Sequence, residues 1–117
     1  MNYAYASRTG NVQSIIDALG LTGTFIQTGD ETIEGDYILF TYTDGFGDIP
    51  FEVDAFLGNN AAGLKGVVVS GSHAYDPAFC GAGDKIAEQY GVPVLYKVED
   101  GGTSEDLDNI KAELAKF

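Results

Sequence analysis

Residues Tyr37-Ile38-Leu39-Phe40-Thr41-Tyr42 are apolar on both faces, and this run limits the fold more than any other stretch of the chain. A strand with one wet face alternates apolar and polar side chains, whereas a strand covered on both faces does not. Six residues are few for a buried helix and suit an inner strand of a parallel sheet. Asn2–Ala6, Gly66–Ser70 and Val92–Val98 read as further strands, with Gly23–Thr28 as a weaker one. Between them the apolar spacing turns helical. Val12, Ile15, Ile16 and Leu19 stand at i, i+3, i+4 and i+7, and Gly20 ends that helix. Pro50 suits a first helical turn ahead of Val53, Phe56 and Leu57. Ala82, Ile86 and Tyr90 mark a third helix closed by Gly91. Leu107, Ile110, Leu114 and Phe117 line a terminal one, with Thr103 or Ser104 as its N-cap and Glu105 and Asp106 in its first turn. Gly29–Gly35 is too short and polar for a helix and is expected to be a loop. Five strands alternating with helices predict an α/β fold with a parallel sheet. No linker or repeat divides the 117 residues, so one domain over 1–117 is expected.

Composition narrows the partners. Eighteen acids against six bases leave a net charge of −12, a field that repels phosphate backbones and anionic lipid. Nucleic acid and membrane surfaces are therefore poor partners, and a basic protein surface a better one. The single cysteine, Cys80, cannot form an internal disulfide, which fits a reducing, cytoplasmic setting. No apolar run nears the roughly 20 residues that span a bilayer, and the N-terminus lacks the charged and apolar regions of a signal peptide.

In an open α/β sheet, ligands bind beyond the carboxyl ends of the strands, near the point where strand order reverses. Three loops follow strands directly. In Ser7-Arg8-Thr9-Gly10-Asn11, two hydroxyls, an amide and several backbone N–H groups converge on a helix N-terminus. Such a set holds an anion by dipoles and hydrogen bonds. Arg8 brings its only cation, and a terminal phosphate or a carboxylate fits; a plain polar turn with an N-cap is the alternative. The nucleoside-triphosphate loop is excluded because its lysine is missing, and no G-x-G-x-x-G is present. In Thr43-Asp44-Gly45-Phe46-Gly47 the glycines permit close approach to a flat ligand and easy peptide flips, unless this is an ordinary strand–helix loop. In Ser70-Gly71-Ser72-His73-Ala74-Tyr75-Asp76-Pro77, Tyr75 can stack on a ring. His73 is the only histidine and has no second ligand at metal spacing, so it reads either as a surface residue or as part of this loop. Cys80, after Phe79, reads as a small buried side chain. The pairs Asp30-Glu31, Glu99-Asp100 and Glu105-Asp106 read as solvated charge.

Together these loops resemble the flavodoxin family, in which Ser-x-Thr-Gly-Asn between strand and helix forms the phosphate loop for flavin mononucleotide (FMN). Val12 departs from the hydroxyl residue that usually ends that loop. The remaining motifs narrow the resemblance to the NrdI family, small flavodoxin-like activators of class Ib ribonucleotide reductase. They are Thr41 to Pro50 (TYTDGFGDIP), Gly66 to Ser72 (GVVVSGS), Gly83 to Ile86, Tyr90 to Lys97 and Gly102 to Asp106. The resemblance runs nearly end to end. It implies a flavodoxin-like three-layer sandwich with strand order 2-1-3-4-5 and helices on both faces. It also implies bound FMN that, once reduced, converts O₂ to superoxide or a related oxidant. That oxidant passes to an NrdF-like small subunit, where it drives assembly of a metallocofactor and tyrosyl radical, or in a divergent branch modifies a tyrosine. A separate reductant is implied as well. On this resemblance, Ser7, Arg8, Thr9, Gly10, Asn11 and Val12 hold the phosphate. Thr43, Asp44, Gly45, Phe46 and Gly47 flank the ring, and Ser70, Gly71, Ser72, His73 and Tyr75 cover its other side. The family commonly carries Ser-Gly-Asn-Arg-Asn-aromatic in that third loop; His73 here replaces the fixed charge of that arginine with an imidazole, which bears on redox tuning. A conventional flavodoxin-type electron carrier and a flavin-free interaction module remain as alternatives. A response-regulator receiver does not, because Ser7-Arg8 stands where that fold needs an acidic pair.

Overall fold

A computed structural model describes residues 1–73 and 78–117. Five parallel strands form one sheet in the order β2-β1-β3-β4-β5. They are β1 (Asn2–Tyr5), β2 (Thr24–Phe25), β3 (Tyr37–Thr41), β4 (Leu64–Gly71) and β5 (Val94–Glu99). Four helices connect or follow them: α1 (Asn11–Ala18), α2 (Phe51–Asn60), α3 (Gly81–Tyr90) and α4 (Ser104–Leu114). The strand order and the helix on each connection except β2–β3 match the expected architecture.

The central run behaves as its composition requires, with all five residues of β3 buried. Its alternate side chains serve different layers, as the two-residue period of a strand dictates. Tyr37 and Leu39 meet Val53, Phe56 and Leu57 of α2 and Ile86 of α3. Ile38 and Phe40 meet Val12, Ile15 and Ile16 of α1 and Ile110 of α4. Each such fully buried apolar side chain contributes about 1.5–3 kcal/mol relative to exposure. Tyr37 packs edge-on against Phe56, centroids 5.8 Å apart, and its hydroxyl donates to the Asn60 carbonyl at 2.8 Å. The buried ring therefore leaves no polar atom unpaired.

The connection from β2 to β3 has no helix, as expected. The Glu31 carboxylate accepts the backbone N–H groups of Gln27 and Thr28 on Oε2 and of Gly29 on Oε1. Asn60, at the end of α2, accepts from the Ile33 N–H and donates to the Glu31 carbonyl. Ala4 of the neighbouring β1 and Ala6 just beyond it are small and fully buried, so the loop carrying Ile33 closes the layer where a helix would otherwise lie. The same turn shortens β2 to two residues against the six expected, because Gln27 to Gly29 give their N–H groups to Glu31 rather than to a ladder. At α4 the choice of cap resolves to Thr103. Its Oγ1 accepts from the Asp106 N–H at 3.2 Å while Asp106 accepts from the Thr103 N–H at 2.8 Å. Such a reciprocal cap contributes about 1 kcal/mol. No helix among the described residues is long and apolar enough to cross a membrane.

Candidate functional site

The chain leaves β1 toward β2 on one side and β3 on the other, so strand order reverses between β1 and β3. A cleft of about 160 Å³ opens at their carboxyl ends. Ser7, Arg8, Thr9, Asn11 and Val12 line one end of it. Thr43 and Gly45 line the other end, with Ser70, Gly71 and Ser72 along its floor. All three candidate loops thus converge, as the switch-point rule requires.

The first loop ends in Gly10, whose left-handed φ of 94° turns the chain into α1. A side chain there is disfavoured by backbone conformation and not by crowding, since a Cβ on Gly10 would meet nothing within 4 Å. Ser7 Oγ accepts from the Gln13 N–H at 3.2 Å, capping the helix from inside the loop. The N–H groups of Thr9, Gly10, Asn11 and Val12 meet no acceptor among the described residues. Val12 faces the core with its side chain and leaves only its backbone to the cleft mouth. Several free N–H donors, the Thr9 hydroxyl and the positive end of a helix suit an anion such as a terminal phosphate.

The second loop is a closed hairpin. Asp44 N–H donates to the Asp48 carbonyl at 2.9 Å and Asp48 N–H to the Asp44 carbonyl at 2.8 Å. Gly45 (φ 48°) and Gly47 (φ 90°) bend the three residues between them. Gly47 packs so close to Gly81 that a Cβ on Gly81 would lie 2.8 Å from the Gly47 Cα. Phe46 stands at the tip, 67% exposed. Thr43 ties this loop to the third one, its Oγ1 donating to the Ser70 carbonyl at 3.0 Å. Ser70 Oγ donates in turn to the Asp100 carbonyl at 2.7 Å.

Two carboxylates of the hairpin beside the cleft are paired with cations. Arg8 Nη1 donates to Asp44 Oδ1 at 2.9 Å, which holds the Asp44 carboxyl below the usual carboxylate range. Lys85 Nζ reaches Asp48 Oδ1 at 2.9 Å. Burial, aided by a 2.6 Å hydrogen bond to Glu52, pushes the Tyr42 hydroxyl up to about 12, so it stays protonated at neutral pH.

Five candidates flank the cleft without lining it: Gly10, Asp44, Phe46, Gly47 and His73. The His73 ring stacks on Phe79, centroids 3.8 Å apart, and the His73 backbone N–H donates to Glu99 Oε2 at 3.3 Å. Tyr75 lies outside the described residues. Tyr42, Ala78 and Asp100 line the cleft and were not among the candidates. Asp100 had read as surface charge, yet it sits in the loop after β5. Applying the carboxyl-end rule to that fifth strand would have found it. No group of three or more His, Cys, Asp or Glu among the described residues is arranged to hold a metal ion.

A five-stranded doubly wound sheet with an anion-accepting cleft at its switch point defines a flavodoxin-like protein. A family model described as NrdI flavodoxin-like matches residues 3–112, and the chain belongs to that family. It is 35% identical over 112 residues to a protein NrdI of Bacillus licheniformis, covering 96% of this chain and 86% of that one. It is 38% identical over 121 residues to a protein NrdI of Ruegeria sp. strain TM1040, covering 97% and 86%. A phage protein nrdI of Bacillus phage SPbeta is 36% identical over 113 residues, covering 94% and 88%. Among solved structures, a short-chain flavodoxin associated with a non-canonical PDU bacterial microcompartment superposes with a TM-score of 0.69. The overlap covers 98% of this chain and 95% of that one at 19% identity, a likeness of fold.

Proposed function

We propose that the chain is an FMN-dependent redox activator of ribonucleotide reductase. The family match over residues 3–112 carries this reading: family and fold imply a flavin, and the family name implies association with a ribonucleotide reductase. The cleft fits such a group. Its free N–H donors and hydroxyls are those a phosphate monoester needs, and its glycine hairpin leaves room beside a flat ring. Thr9, Gly10, Asn11 and Val12 would hold the phosphate through their backbone N–H groups, with Ser7 keeping the loop in register through its cap on Gln13. Gly45 and Gly47 would set the peptides that face one edge of the ring, and Ser70 to Ser72 would support its other side.

When bound and reduced by a separate reductant, the flavin would supply the electrons that convert O₂ to a superoxide-type oxidant for an NrdF-like small subunit, for metallocofactor and tyrosyl-radical assembly or tyrosine modification there. The protein's own part is to bind, orient and expose. Phe46 and the hairpin mark the open edge of the cleft, where O₂ and a partner have access. The paired Asp44 and Asp48 place less uncompensated negative charge beside the ring than their number suggests.

The test is to purify the chain with its cognate small subunit, load it with FMN, reduce it under nitrogen and admit O₂. Fast reoxidation together with radical or modified tyrosine in the small subunit is the expected result. Reoxidation that leaves the small subunit unchanged, with efficient electron delivery to a redox partner, would instead mark a conventional electron carrier. A chain that takes up no flavin would remove both readings.

A further inference from the structure

Arg8 is the cation of the anion loop, yet its side-chain hydrogen bonds go to Asp44 in the neighbouring loop and to Tyr42 just past β3. Nη1 donates to Asp44 Oδ1 at 2.9 Å and Nη2 to the Tyr42 hydroxyl at 3.2 Å. The guanidinium also sits 4.8 Å from the centroid of the Tyr42 ring. Tyr42 passes the connection on, donating to Glu52 Oε2 at 2.6 Å in the first turn of α2. One side chain of the loop 7–11 is thereby fastened to the hairpin foot at Asp44, to the end of the central strand and, through Tyr42, to a helix.

We propose that Arg8 is a positioning residue that braces the Asp44–Asp48 hairpin rather than a ligand of the phosphate. This rests on the flavin reading only for what fills the cleft. Three arguments converge on it. A planar guanidinium engaged by a carboxylate, a hydroxyl and an aromatic face is fixed in direction, which a lysine in its place cannot reproduce. The anion loop already offers unpaired N–H donors and does not need the guanidinium to accept a phosphate. Asp44 is also one of the two residues whose reciprocal backbone hydrogen bonds close the hairpin, so holding its carboxylate holds the hairpin's foot. An exposed ion pair alone is weak; the added ring contact and the hydrogen bond to Tyr42 distinguish this one.

The experiment compares Arg8→Met, Arg8→Lys and Asp44→Asn with the native chain by two measurements. The first is amide hydrogen exchange of the flavin-free protein at Asp48, whose N–H closes the hairpin. The second is titration of FMN and of riboflavin, which lacks the phosphate. Bracing predicts exchange at Asp48 faster by about three- to tenfold in all three variants, at unchanged global stability. It also predicts FMN and riboflavin weakened by one common factor, with lysine giving no rescue. The combined Arg8→Met/Asp44→Asn variant should be no worse than either single change. Unchanged exchange at Asp48 in the two Arg8 variants overturns the proposal, as does a loss confined to FMN that lysine repairs. If the native chain takes up neither flavin, the flavin reading fails and the exchange measurement still decides the bracing role.

Discussion

Cys80 shows two local effects in opposition. It is the N-cap of α3, in a left-handed conformation with φ of 56°, and a helix N-terminus lowers a thiol pKa. Burial acts the other way and wins: the side chain is 0% exposed, and its pKa is pushed up to about 12. The thiol donates weakly to the Val69 and Val98 carbonyls at 3.4 and 3.7 Å, which fits a protonated group. At pH 8 on the order of one thiol in ten thousand would be ionised. Iodoacetamide should therefore label Cys80 in the urea-unfolded chain and leave the native chain unlabelled over the same hours. Rapid native labelling, followed by mass spectrometry, would contradict this. Burial of Cys80 was legible from its apolar neighbour and lack of a histidine partner. The Arg8–Asp44 pair was not, because 36 residues separate its members and only the fold brings their loops together.

The β2–β3 connection carries the element-scale argument. Glu31 does the work of a missing helix by accepting three backbone N–H groups, and those bonds draw its pKa from 4.5 to about 2. A carboxylate depressed in the folded state contributes stability that is complete above about pH 5 and lost as pH falls toward 2. Glu31 is partly solvated, so screening reduces the contribution to about 1 kcal/mol. Glu31→Gln should lower the unfolding free energy at pH 7 by about that amount, read as a lower urea midpoint at unchanged slope. The gap between variant and native chain should narrow as pH is lowered from about 5 toward about 2. A gap independent of pH would mean that the ionised state of Glu31 is not what holds the loop. The unbroken apolar run of β3 and the helical apolar spacing of α1 and α4 were legible in sequence because burial follows from pattern. The ends of β2 were not, since a carboxylate captured the N–H groups that would have extended it. That the three strand-end loops meet at one cleft was legible for a topological reason: a parallel sheet brings its carboxyl ends together. Asp100 belonged to the same set but was masked by its acidic neighbour Glu99.

At the scale of the molecule, a net charge of −12 is confined within a radius of gyration of 12.6 Å. Five of the six lysines and arginines already lie within 2.7–3.8 Å of a carboxylate: Arg8, Lys65, Lys85, Lys97 and Lys116. Their partners account for five of the eighteen acids, leaving thirteen outside those pairs. Two electrostatic effects of salt therefore compete. Screening weakens the ion pairs, each worth about 0.2–1 kcal/mol when exposed, and it also weakens repulsion among the excess carboxylates. The Debye length decides the sign. At about 0.01 M it is roughly 30 Å and every charge on the molecule senses every other; at 0.15 M it is roughly 8 Å and only neighbours interact. Contact pairs survive that change better than long-range repulsion, so added salt should stabilise the fold. Raising NaCl from about 0.01 M to about 0.15 M should lift the thermal midpoint by roughly 4 °C, equivalent to about 1 kcal/mol for a chain of this size. The scan belongs in a zwitterionic buffer, so that no phosphate enters the cleft and adds binding energy of its own. A midpoint that falls with salt would place the ion pairs as a group above the charge excess in the balance that holds the protein folded.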